Sequence, residues 1–460
     1  MRNSLPVTTL DVAILGGGIS GLACGFWLQK LRPQATFCVW ERGPRLGGRI
    51  ASHRQDGYLL EAGPDSFVSQ RPAMLELVRE LGLEARLCPS SSNAGTYVYD
   101  DSRLCALPGG LHLGIPSRPW TVALSPLLTW RGKLRLALEP FMPMSDQVRD
   151  ESLGAFVRRR LGVEALQKLI GPLVGGIFGT DPDHLSLSAT FAHLADYERK
   201  YGSLTRALWK SPVPTSVGTF LSFPNGMQEL VDALRERLGE RARTDVTVSK
   251  VAYQQGFWWI QGEHGPLLRT RHLVLAMPSQ EASRLLNQCA PAVSDSLGRF
   301  QQSSAAAVHL AWSRPKVGHS LKGYGFVSSY PARRHLVACT WSSQKFAGRA
   351  PDQKVLMRTF LRDCGDVRVD QMKDCDLVAE SLSALRKPLR LKGQPDFWSV
   401  ERYRQAFHSY TIGHRDRVQA LQAERVKFPG LHCLGSTYVA GGIPACVTQA
   451  RQWAEELAHV

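Results

Sequence analysis

The feature that most constrains the fold of this 460-residue chain is a glycine-rich turn between an apolar strand and a helix near its start. The run Asp11–Leu15 predicts a buried strand, and Ile19–Leu31 predicts the helix that follows it. A second apolar run, Ala35–Trp40, predicts another strand, which ends at Glu41. This order is the βαβ unit of a dinucleotide-binding fold. The sequence therefore predicts an α/β protein with a Rossmann-like nucleotide-binding domain.

The turn itself has the spacing Gly16-x-Gly18-x-x-Gly21. The first glycine permits a tight turn, the second lets the backbone approach a pyrophosphate, and the third lets the helix pack closely on the strand. The free N–H groups at the helix N-terminus then favour phosphates. Glu41 stands where a carboxylate accepts hydrogen bonds from ribose hydroxyls and disfavours the extra phosphate of NADP. The residues predicted to hold the nucleotide in this region are Gly16, Gly17, Gly18, Ile19, Ser20, Gly21, Glu41 and Arg42.

A second glycine pair follows in RGPRLGGRI (Arg42–Ile50), and another glycine lies in GYLLEAGPDSF (Gly57–Phe67). A nicotinamide cofactor does not need these additional turns. A tightly held FAD does, because the chain must double back beneath the pyrophosphate, and Arg49 is available there for charge. This combination of motifs resembles the FAD-containing amine oxidase superfamily, which includes the phytoene desaturases.

A closer resemblance covers essentially the whole chain. The segments LIGPLVGGIFGTDPDHLSLSATFAHLADYERKYGSL, FPNGMQELVDAL, GYGFV, YTIGH and GSTYVAGGIP occur in the order used by the protoporphyrinogen oxidase family, whose fold coproporphyrinogen oxidases share. The resemblance implies an enzyme of haem or porphyrin biosynthesis that dehydrogenates a porphyrinogen. A hydride would pass to flavin N5, and O2 or another acceptor would reoxidise the flavin. No separate catalytic side chain and no metal are expected.

The family resemblance also implies which residues meet each ligand, and it adds a backbone contact from Val248 to the adenine. Tyr324 and Phe326 would pack on the macrocycle, although ordinary strand core explains these two aromatic residues equally well. The further cofactor residues implied are Gly48, Arg49, Gly63, Pro64, Asp65, Ser66, Val248, Tyr403, Gly435, Gly441, Gly442 and Ile443. The substrate residues implied are Thr96, Gly175, Gly176, Tyr324 and Phe326.

The chain departs from the family pattern at four places. Thr96 stands where many relatives have an arginine that could pair with a propionate, and the family usually carries a tryptophan near Tyr403. His408–Ser409 replaces the usual Pro-Gln, and Ala445 replaces a common aspartate. Loss of a charge-assisted pair at Thr96 would weaken substrate binding by about 1.5–3 kcal/mol. The sequence does not locate an arginine that could replace it.

The later segments indicate that the nucleotide-binding domain is discontinuous. Arg271–Pro278 predicts a buried strand of the same sheet, and the end of the chain predicts a last strand, a glycine-rich turn and a closing helix. The predicted FAD-binding domain comprises 1–88, 219–288 and 424–460, the helical insertion comprises 103–218, and the mixed-sheet substrate domain comprises 89–102 and 289–423.

The net charge of +16 fits a nucleic acid, an anionic membrane surface or an acidic substrate as the partner, and a solvated basic surface without a partner explains it equally well. Trp120 and Trp130, with Arg131, Lys133 and Arg135 nearby, suit an anionic bilayer surface, although core packing explains such tryptophans and leucines too. No recognition helix, RNA-binding motif or zinc finger supports a nucleic-acid partner, so we expect none.

The ten cysteines are scattered singly, and neither a secretory signal nor a spanning segment is evident. These features favour the cytoplasm, with peripheral attachment to the inner face of the membrane as an option. The oligomeric state stays open, a homodimer included. Two other functions also stay open. One is a flavin oxidase or desaturase acting on an amine or a polyene, and the other is a flavoprotein that binds porphyrin without turnover.

Overall fold

A computed structural model describes residues 7–91, 95–100, 103–108, 111–112, 115–116, 124–145, 150–210, 220–263, 267–330, 335–364 and 366–459. The described strands are β1 Val7–Leu15, β2 Phe37–Trp40, β3 Ser52–Gln55, β4 Tyr58–Glu61, β5 Phe67–Val68, β6 Cys88–Pro89, β7 Thr96–Tyr99, β8 Leu104–Ala106, β9 Leu111–His112, β10 Ile115–Pro116, β11 Phe220–Ser222, β12 Ala242–Arg243, β13 Val248–Gln254, β14 Phe257–Gly262, β15 Leu267–Leu275, β16 Gln302–Ser313, β17 Gly325–Ser328, β18 Leu336–Thr340, β19 Lys354–Arg362, β20 Phe397–His408 and β21 Leu431–Cys433.

Seven of the described helices follow one another in segment 124–210, and the others are distributed along the rest of the chain. The helices are α1 Ile19–Leu31, α2 Pro72–Glu80, α3 Trp130–Ala137, α4 Leu153–Arg160, α5 Val163–Ala165, α6 Gly171–Phe178, α7 Leu187–Thr190, α8 Ala192–Tyr201, α9 Leu204–Lys210, α10 Gln228–Leu238, α11 Ser279–Leu286, α12 Pro291–Gly298, α13 Ser342–Lys345, α14 Asp374–Leu389, α15 His414–Arg425 and α16 Gly442–Ala458. A π-helical turn, Leu166–Ile170, joins α5 to α6.

The predicted Rossmann-like sheet is confirmed, and its strands come from separate parts of the chain. Its parallel part has the order β12-β2-β1-β15, and β21 pairs with the carboxyl-terminal half of β15. The other half of β15 pairs with β14, which continues the sheet as an antiparallel hairpin with β13. Helices α1, α10 and α16 cover one face with an apolar core, whereas α11 and α12 cover the other. Long-range pairing therefore builds one nucleotide-binding sheet from a discontinuous sequence.

A second, mixed sheet has the strand order β20-β16-β19-β18-β17-β7-β8. Its only parallel pairing among the described strands joins β17 to β7. Helix α14 packs on one face of this sheet, and the helical segment 124–210 packs on the other face near β17 and β18. Strand β8 lies in the range predicted for the helical insertion, yet it pairs with β7. The sheet thus extends past the expected boundary at residue 103, and the other domain boundaries stay predictions.

The helical segment has its own apolar core and a buried ion pair. Arg160 and Glu139 are both fully buried and pair with each other, while the Ser203 hydroxyl donates to the Glu139 carboxylate at 2.6 Å. The apolar side of α4 forms part of the core rather than an outer surface, because Leu153, Phe156, Val157 and Leu161 are buried. Within the described residues, no helix combines the length and apolar character needed to span a bilayer.

The turns that carry the sequence motifs meet at the carboxyl edge of the parallel strands. The Gly16 N–H donates to Trp40 O at 2.8 Å, which joins the ends of β1 and β2. The Ala276 N–H donates to Leu15 O at 2.8 Å, and the Leu434 N–H donates to Leu275 O at 3.1 Å. In open α/β sheets, ligands bind at this edge. The topology therefore places the first, second and closing glycine turns beside one another.

Candidate cofactor and substrate site

The first two glycine motifs lie in direct backbone contact. Gly18 and Gly47 form an isolated parallel bridge, and the Gly47 N–H donates to Gly17 O at 2.8 Å. A Cβ on Gly21 would lie 2.0 Å from Gly16 O, a distance at which no side chain fits. Gly16 also has a φ of +112°, which favours glycine. The spacing is thus required by backbone approach within the protein as well as by the expected ligand.

Helix α1 begins at the open side of this contact. A Cβ on Gly18 would meet nothing nearer than the Gly48 Cα at 4.0 Å, so the space in front of the helix is free of side chains. No side chain caps the helix N-terminus. Its first N–H groups and the positive end of its dipole therefore favour an anionic group. We call the space lined by Gly18, Gly48, Arg49 and Gly435 the cofactor cleft.

Glu41 is held at the edge of the cleft by backbone donors. Its Oε2 accepts from the Gly17 N–H and its Oε1 from the Gly43 N–H, each at 2.8 Å. These two bonds fix the plane of the carboxylate. Each oxygen retains a further lone pair, so the group could still accept hydrogen bonds from a ribose. The predicted contact between Glu41 and a ribose is compatible with these hydrogen bonds and stays a prediction.

The loop around Gly63 approaches the second glycine motif. A Cβ on Gly63 would lie 1.8 Å from Arg49 O, which explains glycine at this position. The buried Arg358 guanidinium donates to Gly63 O at 2.7 Å and to the Tyr403 hydroxyl at 3.1 Å. That hydroxyl donates to Ala62 O. Arg358 and Tyr403 therefore clamp the loop from the mixed sheet, with Pro64 next in the chain.

Asp65 is tied to the same sheet through Lys345. The Lys345 ammonium lies 2.8 Å from Asp65 Oδ1 and donates to the Ser66 hydroxyl at 3.0 Å. Although burial disfavours the charged carboxylate, the ion pair with Lys345 holds the pKa of Asp65 at about 2. Asp65 is therefore an anion whose charge is already neutralised within the protein.

Arg49 points into the cleft without a carboxylate partner. Its Nη2 lies 3.0 Å from His408 Nε2 and 3.5 Å from the Ser436 hydroxyl, both uncharged contacts. Loss of hydration lowers the pKa of Arg49, yet the residue stays accessible from the cleft. Among the described residues no acidic side chain forms an ion pair with it. A cation placed in this way needs an anion from outside the chain.

The closing turn brings the last predicted residues to the cleft. Gly435 has a φ of +130°, and a Cβ there would lie 3.6 Å from the Ser20 hydroxyl of α1. The Tyr410 hydroxyl donates to Ser436 O at 2.6 Å, which fastens the turn to the mixed sheet. Helix α16 begins at Gly442, directly after Gly441, and its second residue, Ile443, is buried. The N-terminus of a second long helix therefore also faces this region.

Three of the five expected substrate residues, Thr96, Gly175 and Gly176, lie where the mixed sheet meets the helical segment. Thr96 pairs in register with Gly325, and Val98 pairs with Val327 on the same face. A Cβ on Gly176 would lie 3.2 Å from Val327, whereas a Cβ on Gly175 would meet nothing within 4 Å. The Phe178 and Tyr410 rings lie 5.9 Å apart, which connects this apolar region to the closing turn.

Tyr324 and Phe326 lie in two different environments. Phe326 is 1% exposed and packs edge-on against Tyr99 in the core beneath α14, on the sheet face away from Val327. Its side chain is therefore strand core, and we do not retain it as a macrocycle contact. The Tyr324 hydroxyl shares a hydrogen bond with Ser90 at 2.8 Å and donates to Ser91 O at 3.0 Å.

Two of the predicted cofactor residues make other contacts. The Arg42 guanidinium, 65% exposed, pairs with Glu281 at 2.7 Å at the surface. Val248 begins β13 and pairs with Gly262, while the Val246 N–H two residues earlier donates to Glu41 O at 2.9 Å. The start of β13 is therefore tied to the backbone of Glu41, whereas the Arg42 side chain is already paired.

The structure also identifies residues that the motifs did not. Lys345 and Arg358 hold the Gly63–Ser66 loop, and His408 holds Arg49. Arg71 lies over the start of α16, with its Nη2 3.9 Å from the position of a Cβ on Gly441. Its guanidinium forms no ion pair or hydrogen bond with the described residues. For Lys345, Arg358 and Arg71 the only sequence signal was the surplus of basic residues, which does not indicate position, whereas His408 was marked by its departure from the family pattern.

An FAD fits the donors and charges of the cleft. The α1 N-terminus and Arg49 would take the pyrophosphate, Glu41 would take the adenosine ribose, and the closing turn would lie along the flavin. The glycine cradle leaves no side chain in front of α1, and Arg49 lacks a counter-ion. These two observations match a dinucleotide whose negative charge is concentrated at its centre.

Comparison with known proteins gives results consistent with this geometry. The model of the family described as flavin containing amine oxidoreductase matches residues 19–458. Coproporphyrinogen III oxidase from Staphylococcus aureus (strain NCTC 8325 / PS 47) is 32% identical over 98% of this chain and 99% of its own. The Bacillus subtilis (strain 168) protein of the same name is 31% identical over 96% of each chain. A crystal structure from Exiguobacterium sp. 255-15, provisionally named a protoporphyrinogen oxidase, superposes with a TM-score of 0.85 at 29% identity, covering 99% of this chain and 100% of that one.

The open space at Gly18 generates a first prediction. In Gly18→Ala the backbone, with a φ of −73°, accommodates alanine, so we expect a folded protein with an unchanged melting temperature. The new methyl group would occupy the position required by the pyrophosphate, and the affinity for FAD should fall roughly tenfold or more. Fluorescence titration with FAD measures this change. Gly298→Ala, at the end of α12, is the matched control and should bind FAD normally.

Proposed function

Because the chain belongs to the flavin-containing amine oxidoreductase family, we propose that it oxidises a porphyrinogen to the corresponding porphyrin. Its cofactor is FAD. The observation that carries the proposal is an anion-binding cleft between two helix N-termini, opening beside an apolar region of the mixed sheet. The relatives named as coproporphyrinogen III oxidases match along almost their whole length, which supports the same reaction here.

The proposed reaction removes hydrogen from a saturated bridge carbon in repeated two-electron rounds, and O2 is the proposed final acceptor. When bound, FAD supplies the hydride-accepting nitrogen N5. The chain would supply position: Gly18, Glu41 and Arg49 would hold the nucleotide end, and the closing turn at Gly441 would hold the flavin end. Thr96, Gly175, Gly176 and Tyr324 would line the space for the flat macrocycle. The reaction needs no nucleophile, and the protein contributes orientation and an apolar surface.

The proposed binding of substrate carboxylates depends on Arg71 rather than on residue 96. The propionates of a porphyrinogen need a cation, and Thr96 cannot provide one. A Cβ on Gly441 would lie 3.1 Å from Ala445 Cβ and 3.9 Å from Arg71 Nη2, so Arg71 and Ala445 flank one glycine. The aspartate common in the family at position 445 would lie within reach of Arg71 and pair with it. Alanine leaves the guanidinium available to a substrate carboxylate.

We also propose that the helical segment docks on an anionic bilayer surface, as a peripheral protein at the inner face of the membrane. Trp130, Leu134 and Leu138 recur four residues apart, so they share one side of α3 and its C-cap. Arg131 lies 5.3 Å over the Trp130 ring, and Lys210 follows the exposed Trp209. The exposed large apolar side chains of this segment are Leu124, Trp130, Leu134, Leu138, Phe141, Met144, Val163, Ile177 and Trp209.

Several features support the bilayer as the occupant of this surface. Nine of the fifteen exposed large apolar side chains of the described residues lie in segment 124–210, although it is a minor part of the chain. Basic side chains border aromatic ones, as on proteins that bind anionic headgroups. Arg135 does not contribute, because it donates to Arg159 O and Arg160 O at the end of α4. Trp120 lies outside the described residues. The proposal leaves open whether the chain forms a homodimer.

We assign one proposed function to each of the predicted domains. Segments 1–88, 219–288 and 424–460 would bind FAD, the helical insertion would meet the membrane, and the mixed sheet would carry the substrate. The mixed sheet includes β8, so its portion extends beyond residue 102.

The decisive assay for the reaction uses the yellow holoprotein with colourless protoporphyrinogen and coproporphyrinogen in separate samples under air. We expect porphyrin fluorescence to rise with a rate proportional to enzyme concentration for at least one of them. Rates equal to buffer with both substrates would refute the proposal. Reduction of the flavin by an amine or a polyene would instead indicate another flavin oxidase, and tight porphyrin binding without turnover would indicate a carrier.

Arg71 provides a prediction about substrate affinity. In Arg71→Ala the KM for the porphyrinogen should rise roughly tenfold or more, because a charge-assisted hydrogen bond is lost, with FAD content unchanged. Arg71→Lys should recover part of the effect. Ala445→Asp should raise KM as well, since the new carboxylate would compete for Arg71. An unaltered KM in both Arg71→Ala and Ala445→Asp would exclude this guanidinium from substrate binding.

Membrane docking can be tested by co-sedimentation with vesicles. We expect the holoprotein to bind vesicles that contain phosphatidylglycerol and to bind pure phosphatidylcholine weakly. Replacing Leu134 and Phe141 together with glutamate should reduce binding at least about tenfold, since apolar area and charge attraction are both lost. Trp398→Glu is the matched control, because Trp398 is exposed on the mixed sheet far along the chain. Equal binding by both variants would contradict the proposed surface.

A further inference from the structure

His408 ends β20 at a position where the resembled family usually has proline. Its side chain is buried, with 7% exposure, and its ring contacts Arg49, which lines the cofactor cleft. Proline carries no side-chain acceptor, so the contact between residue 408 and Arg49 is a feature of this chain. None of the sequence motifs indicates a role for the histidine.

The hydrogen bonds fix the protonation state of the ring. A guanidinium can only donate, so His408 Nε2 must accept from Arg49 Nη2 at 3.0 Å. The proton of the neutral ring is therefore on Nδ1, which donates to the Thr437 hydroxyl at 3.2 Å. Burial, together with the positive charge of Arg49, lowers the pKa of His408 to about 3. The neutral tautomer that accepts from Arg49 thus persists through the physiological range.

Few other groups could orient Arg49. The Ser436 hydroxyl is 3.5 Å away, at the limit of a hydrogen bond. Cys446 and Tyr410 lie nearby as neutral groups, and burial raises the pKa of each of these side chains. His414 is the other titratable group near His408, and burial lowers its pKa to about 4, so it too is neutral. His408 is therefore the main hydrogen-bond partner of Arg49 among the described residues.

We propose that His408 is a positioning residue for the cofactor, acting through Arg49. The imidazole holds the guanidinium in one orientation in the cleft, and it does so without an opposing charge. A carboxylate in its place would neutralise Arg49 and compete with the pyrophosphate. A neutral acceptor leaves the whole positive charge for the anionic ligand, and the cofactor then binds a guanidinium that is already ordered. The inference rests on the proposed FAD site and adds a residue to it.

The test compares two substitutions in the full-length holoprotein. His408→Leu removes the acceptor while retaining an apolar side chain, and His408→Gln keeps an amide oxygen that can accept from Arg49. Each holoprotein is diluted into buffer without FAD, and release of the flavin is followed by the rise of free FAD fluorescence. We expect His408→Leu to release FAD roughly tenfold faster or more, as for loss of a hydrogen bond to a charged group. His408→Gln should lie within about threefold of the wild type.

His432→Leu serves as the control for removal of a histidine elsewhere. Its ring stacks on His272 in the nucleotide-binding sheet, and the variant should release FAD at the wild-type rate. Wild-type release from His408→Leu would overturn the inference while the proposed function stands. Equally fast release from the glutamine and leucine variants would also overturn it, since the acceptor would then be irrelevant. A wild-type protein that holds no FAD would instead refute the underlying cofactor proposal.

Discussion

Close approach of backbone segments that lack side chains is the constraint on which the rest of this structure depends. At the carboxyl edge of the parallel strands, Gly21 packs on Gly16, Gly18 bridges Gly47, and Gly63 packs on the Arg49 carbonyl. A side chain at Gly21 or Gly63 would overlap a carbonyl oxygen. These contacts bring three loops of residues 16–63 together around the N-terminus of α1. The result is a cleft whose floor is backbone and whose field is positive, which suits the pyrophosphate of a dinucleotide.

The distribution of charge around the cleft follows a simple rule. Carboxylates that lie near it are engaged within the protein: Glu41 by two backbone N–H groups and Asp65 by Lys345. Two guanidiniums, of Arg49 and Arg71, instead have no acidic partner among the described residues. The chain's departures from its family act in the same direction. Ala445 removes an anion next to Arg71, and His408 supplies a neutral contact to Arg49, so both cations remain available to ligands.

Much of the nucleotide-binding sheet was predictable, because its signals are local. Ile19–Leu31 is a helix with the predicted bounds, the predicted strands at Asp11 and Arg271 are present, and Val447, Ala450, Ala454 and Leu457 of the closing helix are buried. What the sequence could not provide depended on contacts between distant residues. The alternation of side chains along β17 does not reveal which face of the strand the helical segment covers. The sequence therefore could not show that Phe326 faces α14 while Val327 faces the helical segment. Nor does a list of basic residues indicate that Arg42 pairs with Glu281 while Arg71 reaches Gly441.

The central claim is that one cleft holds a flavin in position to oxidise a bound tetrapyrrole precursor. The most direct measurement mixes the holoprotein with a slight excess of porphyrinogen in the absence of oxygen and records flavin absorption and porphyrin emission together. We expect the flavin band to be bleached as soon as the substrate binds, and product emission to appear only when an acceptor is admitted for further rounds. A flavin that stays oxidised throughout, with either porphyrinogen, would contradict the central claim.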